Sequence, residues 1–183
     1  MKVTKASEYD GKHLRVFLDK YNYQPKLKEY SENIREKRSF DELDILKIIL
    51  WKVNRYADIK PEIVQKLNQL KKLEKGQHKE AKKLLEVLLE VDGVDLPMAS
   101  TLLRFRNPSV FQIIDRHSYR AVYGKKYPLY STSPKDKKIA IYFEYIDVLI
   151  ELCKEKKLVF ETIDRCLYVF DKEVNKSLKV TSS

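Results

Sequence analysis

Residues 89–124 read L-E-V-D-G-V-D-L-P-M-A-S-T-L-L-R-F-R-N-P-S-V-F-Q-I-I-D-R-H-S-Y-R-A-V-Y-G, and this stretch decides the fold. A helix-forming segment, 77–90, runs into the turn Asp92–Gly93–Val94–Asp95. A second apolar-periodic segment starts at Pro97 and carries Ala99, Leu102 and Leu103 on one face. Gly93 suits a tight hairpin because it alone takes positive φ without steric cost. Pro97 suits the first turn of a helix, where its missing N–H is not needed. The pattern predicts two helices joined by a hairpin over about 77–105. A short loop at Asn107–Pro108–Ser109 and the apolar pair Ile113–Ile114 then lead to a lone acid, Asp115.

Outward from this core the chain reads as all-α. Tyr9–Tyr21 and Lys26–Lys37 are expected to be short amphipathic helices, and Ser39 with Glu42 forms a capping box for Asp41–Val53. In that helix Leu43, Leu46, Ile49, Leu50 and Val53 form a stripe expected to be buried, and Trp51 is read as packing. Pro61 opens a helix to Leu73, with Ile63, Leu67 and Leu70 inward. Ala81, Leu84, Leu85, Leu88 and Leu89 line the core face of 77–90. Asp115–Tyr123 is a short helix stopped by Gly124, and Lys125–Thr132 is a loop. Ser133–Pro134 opens a long helix to about Lys156, with Ile139, Tyr142, Phe143, Ile146, Leu149 and Ile150 on one side. Phe160–Asn175 is the last helix, and Ser177–Ser183 a polar tail. With no internal repeat and no low-complexity linker, residues 1–183 read as one helical domain.

Composition narrows the function classes. The 183 residues include 37 basic and 27 acidic ones, for a net charge of +10. That excess fits a polyanionic partner, of which nucleic acid is the commonest, or equally a lysine-rich proteome. No apolar run approaches the length of a membrane span, and Met1–Lys12 lacks the apolar core of a secretory signal. Cys153 and Cys166 have no paired spacing, so reduced thiols in a cytoplasmic protein are expected. The scattered His13, His78 and His117 make no zinc motif, and no glycine-rich nucleotide loop occurs.

The hairpin followed by an acid resembles the helix-hairpin-helix DNA glycosylases of base-excision repair. V-D-G-V-D-L-P-M-A stands where that family has L-P-G-V-G-x-K-T-A, and I-D-R-H-S-Y-R stands for V-D-T-H-x-x-R. The 18-residue offset from Pro97 to Asp115 agrees with the family's spacing, and His117 and Arg120 match its His and Arg. The likeness covers Leu84–Tyr123, about a fifth of the chain.

The resemblance implies two helical lobes with a cleft, one holding the hairpin and the other built from the two chain ends. It implies double-stranded DNA as partner and a monofunctional N-glycosylase acting on a flipped, damaged or mispaired base. Asp115 would then be the catalytic carboxylate, stabilising positive charge on the sugar; the other role open to it is a plain helix cap. Gly93, Val94 and Asp95 would approach a phosphate. Arg104, Arg106, Arg116, Arg120, Lys125 and Lys126 would neutralise others, unless they are only a solvated rim. Pro97 and Met98 would line the base pocket. Tyr119 and Tyr123 are read as core, and His117 as structural support.

Three departures from the pattern have consequences. Pro97 replaces the family's lysine, so no covalent lyase step is expected. Asp95 replaces the second hairpin glycine and brings a negative charge towards the phosphate. Two cysteines cannot supply the four thiolates of the family's iron–sulfur cluster, so neither a cluster nor any other cofactor or metal is expected. Two other readings stay open: a DNA-binding module that has lost catalysis, and a helical interaction protein with no nucleic-acid role.

Overall fold

A computed structural model describes residues 41–52 and 57–175. The expectations for Tyr9–Tyr21, Lys26–Lys37, the Ser39 capping box, Val53, the Trp51 side chain and the tail Ser177–Ser183 lie outside the described residues. Among the described residues there are seven α-helices, three short 3-10 helices and no strand, so the chain is all-α as expected. No described helix is long and apolar enough to cross a membrane.

The chain divides into two compact units, Met1–Tyr56 and Ala57–Ser183. The first contributes helix α1, Glu42–Lys52. Its expected buried stripe is not buried: Leu43, Leu46, Ile49 and Leu50 are all exposed, as is Ile45. The helix carries apolar residues around most of its circumference, so composition alone does not single out an inner face.

The second unit holds α2 (Pro61–Gln69), α3 (Lys82–Leu88), α4 (Leu96–Arg106), α5 (Arg116–Tyr123), α6 (Lys135–Lys156) and α7 (Ile163–Val174). Each boundary has a local cause. Pro61 and Pro97 sit in first turns, where a proline costs no hydrogen bond. Gly124 closes α5 in the left-handed conformation at φ 64°. Three expected helices begin or end as 3-10 turns: His78–Ala81 precedes α3, Leu70–Lys72 follows α2, and Phe160–Thr162 precedes α7.

The core of this unit takes most of the predicted stripes and adds Leu96 and Tyr145, while Leu89, Leu102 and Ile150 are only partly buried. Leu84, Leu85 and Leu88 of α3, Leu96, Ala99 and Leu103 of α4, and Ile139, Tyr142, Tyr145, Ile146 and Leu149 of α6 are all buried. Between α4 and α5 the chain makes a turn over residues 108–110 and then runs without regular structure to Asp115, with Phe111 and Ile114 fully buried. Its backbone is satisfied from the sides: the Tyr142 hydroxyl donates to the Gln112 carbonyl and the Tyr145 hydroxyl to that of Ile113, each at 3.1 Å. Asn107 ends α4 and donates through Nδ2 to the carbonyls of Leu70 (2.8 Å) and Leu73 (3.0 Å). The carboxy-terminal helix α7 packs chiefly on α5, and so belongs to the hairpin's unit rather than to the amino-terminal one.

His78 joins the 3-10 turn to α6. It is almost fully buried, its ring 5.8 Å from that of Phe143. Its Nε2 is 3.0 Å from Asp147 Oδ1, but off the line of a hydrogen bond. Burial holds its pKa below the ordinary 6.5, although Asp147 pulls the other way. In the window just below 6.5 the unfolded chain binds the proton more readily, so stability should fall as the pH drops through it. His78→Gln is expected to flatten the stability profile between about pH 5 and pH 7, as followed by urea unfolding. An unaltered slope would assign the titration elsewhere.

Candidate active site and nucleic-acid interface

A tight turn over residues 89–95 connects α3 to α4. The Val94 N–H donates to the Val91 carbonyl at 3.0 Å, and Gly93 takes φ 82°, a region open to glycine and strained for other residues. Asp95 is the N-cap of α4, its Oδ1 accepting from the Leu96 N–H at 2.7 Å. Its charge is not left alone: Lys138 Nζ lies 2.7 Å from Oδ1 and also donates to the Ser131 carbonyl at 2.8 Å. A second acid beside the turn, Glu90, pairs with Lys135 at 2.5 Å. Both lysines come from the first turn of α6, so one helix end counters two acids flanking the hairpin.

Asp115 is tied to the same region. The Ser100 hydroxyl of α4 donates to the Pro97 carbonyl at 3.0 Å and accepts the Ile114 N–H at 3.2 Å. That contact holds the residue before Asp115 beside the first turns of the hairpin helix. Asp115 itself caps α5 through a reciprocal box. Its Oδ1 accepts the Ser118 N–H at 2.7 Å, and Ser118 Oγ accepts the Asp115 N–H at 2.9 Å. Among the described residues its Oδ2 carries no hydrogen bond. The side chain is half-buried, and its Oδ1 serves the helix.

Tyr127 lies within electrostatic reach of both acids. Its ring meets Tyr119 edge-on at 5.5 Å, and Tyr119 lies 4.4 Å from Tyr123. The hydroxyl is shut off from solvent, and among the described residues no hydrogen-bond partner is found for it. Burial, then Asp95, then Asp115 push it above the ordinary tyrosine range, with Arg116 opposing. Burial and Glu144 likewise raise Tyr123, to about 12. An orphaned buried hydroxyl costs about 1–3 kcal/mol. Tyr127→Phe should therefore melt at the same temperature as the native chain or higher; a clear drop would reveal a partner for that oxygen.

The remaining site residues separate into two groups. Lys125 and Lys126 are exposed just beyond α5, and half-buried Arg116 stands in its first turn. Pro97 is half-buried and Met98 reaches the surface. The other arginines turn inward. Arg104 is 7% exposed, with Nε 3.1 Å from Asp164 Oδ2 and Nη2 donating to the Glu161 carbonyl. Arg106 donates to the Asn68 carbonyl at 3.0 Å. Arg120 grips Asp171 with two hydrogen bonds of 2.7 Å. Bound in this way, Arg104 ties α4 to α7 and Arg120 ties α5 to α7.

Asp171, fully buried on α7, is the anchor of α5. It also receives His117 Nδ1 at 2.7 Å and Asn175 Nδ2 at 2.8 Å. Burial alone would raise its carboxyl, but the hydrogen bonds from Arg120, Asn175 and His117 outweigh that and hold it at about 2. Sequence reasoning passed over Asp171, Lys138, Tyr127 and Ser118. Two of them left a signal. Asp171 follows Ile163 and Leu167 at helical spacing, and Lys138 precedes Tyr142 by one turn, so each places a charge on a buried stripe.

Among the described residues no group of three His, Cys, Asp or Glu side chains is placed to hold a metal ion. Cys153 is buried, Cys166 is exposed, and both are free thiols. Comparison of the chain with protein-family models, curated proteins and solved structures yields no match.

Proposed function

We propose that this chain is a monofunctional DNA N-glycosylase of the helix-hairpin-helix type. The observation that carries the reading is the hydrogen bond from the Ile114 N–H to Ser100 Oγ, which keeps Asp115 beside the hairpin helix with Oδ2 uncommitted. The hairpin and the exposed cations Lys125 and Lys126 bind duplex DNA through its phosphates. A damaged or mispaired base leaves the stack, at a cost of a few kcal/mol offset by contacts around Pro97 and Met98. The C1′–N bond breaks with its electron pair going to the base, and Asp115 Oδ2 stabilises the sugar cation. Water adds to C1′ and passes a proton to Asp115, which returns it to the departing base.

The reciprocal Asp115–Ser118 box favours a second reading, a DNA-binding module whose acid only caps a helix. Incubation with duplexes carrying uracil, hypoxanthine, alkylated purines or a G·T mismatch separates the two. The glycosylase leaves an abasic strand that breaks only in alkali. Binding without excision of any of these bases would establish the module. A protein–DNA adduct trapped by borohydride would overturn the monofunctional assignment, since Pro97 offers no amine.

Duplex binding should weaken steeply with salt, by about 0.9 in log K per unit log salt for each phosphate neutralised. Charge reversal at Lys125 and Lys126 is expected to weaken binding to all sequences alike, as read by fluorescence anisotropy. Affinity indifferent to salt would contradict this interface.

A further inference from the structure

The amino terminus of α4 bears Asp95, whose carboxylate is about two-fifths exposed and stands where the helix would otherwise attract an anion. Lys138, only 8% exposed, approaches this carboxylate from the protein side, with its ammonium fixed between Asp95 Oδ1 and the Ser131 carbonyl. A burial of that degree is rare for lysine and is sustained only by such partners. We propose that Lys138 is a positioning residue for DNA binding: it does not touch a phosphate, but neutralises Asp95 and holds that carboxylate on the protein side of the hairpin. The inference rests on the DNA-binding reading above.

Without the ammonium, a full negative charge stands several ångströms from an approaching phosphate. Between the dielectric of water and that of a protein surface, this repulsion weakens binding on the order of tenfold. Lys135 performs the same task for Glu90, but both partners are about half exposed, so its effect is small.

The test is a double-mutant cycle on the full chain, read by anisotropy of a short fluorescein-labelled duplex of undamaged DNA across a salt series. Lys138→Met is expected to raise Kd on the order of tenfold without reducing the salt slope. Asp95→Asn should bind as well as the wild type or better, because asparagine still caps α4. The double variant Asp95→Asn with Lys138→Met should return to within about twofold of the wild type, since the repulsive charge has gone. A salt slope lower by about one in Lys138→Met, with no rescue by Asp95→Asn, would make Lys138 a direct phosphate contact and overturn the inference. So would wild-type affinity in Lys138→Met, or a double variant no better than Lys138→Met. Melting curves of every variant identify loss of affinity through unfolding, in which case Asp95→Asn against the wild type decides: weaker binding by Asp95→Asn overturns the proposal. A wild type that binds no duplex at low salt removes the DNA reading itself, and the inference with it.

Discussion

Asp115→Asn should abolish base excision while leaving melting temperature and duplex affinity near those of the native chain. Asparagine has the same shape, and its side-chain oxygen can still accept the Ser118 N–H, so the cap of α5 persists. On the glycosylase reading, what disappears is the negative charge that would face the sugar as the C1′–N bond opens. Losing one preorganised electrostatic contact of this kind costs roughly 3–4 kcal/mol in the transition state, a rate loss of a hundredfold to a thousandfold. Single-turnover excision followed by alkaline strand cleavage measures it. Equal rates in both proteins would confine Asp115 to capping. Asp115→Ala, which loses cap and charge together, should additionally cost about 1 kcal/mol of stability, and the difference between the two variants isolates the cap.

Asp171→Ala should be the most damaging single change to stability. The carboxylate is fully buried and receives Arg120 twice, His117 and Asn175. Removing it takes the carboxylate away from a largely buried guanidinium, a loss that costs about 3–5 kcal/mol when one partner of a buried ion pair is deleted. A small domain is stable by only about 5–15 kcal/mol, so much of the margin would go, and Tm should fall on the order of 10 °C. Differential scanning calorimetry tests this, and a shift of a degree or less would mean that the network contributes almost nothing.

The acid limb provides a second readout for Asp171. Its carboxyl sits at about 2 in the folded chain against 3.8 when free. The folded pKa is the lower one, so the stabilisation is complete above the free value and disappears as pH falls from 3.8 towards 2. The gap amounts to about 2–3 kcal/mol. Asp171→Asn should flatten this limb of the unfolding profile. Because Asp171 fastens α5 to α7, the same variant also loosens the helix that Asp115 caps.

Much of this architecture was legible in the chain because its causes are local. Periodic leucines and isoleucines mark α3, α4 and α6, and Pro61, Pro97, Gly93 and Gly124 mark where helices start, turn and stop. The acid at the start of α5 was picked out by its place in the family pattern, 18 residues after Pro97. The basic residues were less legible. Arg104, Arg106, Arg116 and Arg120 are equivalent on a charge count, and nothing nearby in sequence separates a phosphate contact from an ion pair. Their partners lie far along the chain, Asp164 for Arg104 and Asp171 for Arg120.

The sequence by itself therefore determined the helical class, the hairpin and the presence of an acid at the start of α5, all governed by backbone preferences within a few residues. Only the tertiary structure decided which charges face inward. It set Lys138 against Asp95 and buried Asp171 beneath Arg120 and His117, while leaving the stripe of α1 exposed. Burying a charge is favourable only when an opposite charge meets it in good geometry, and that meeting depends on how distant helices pack.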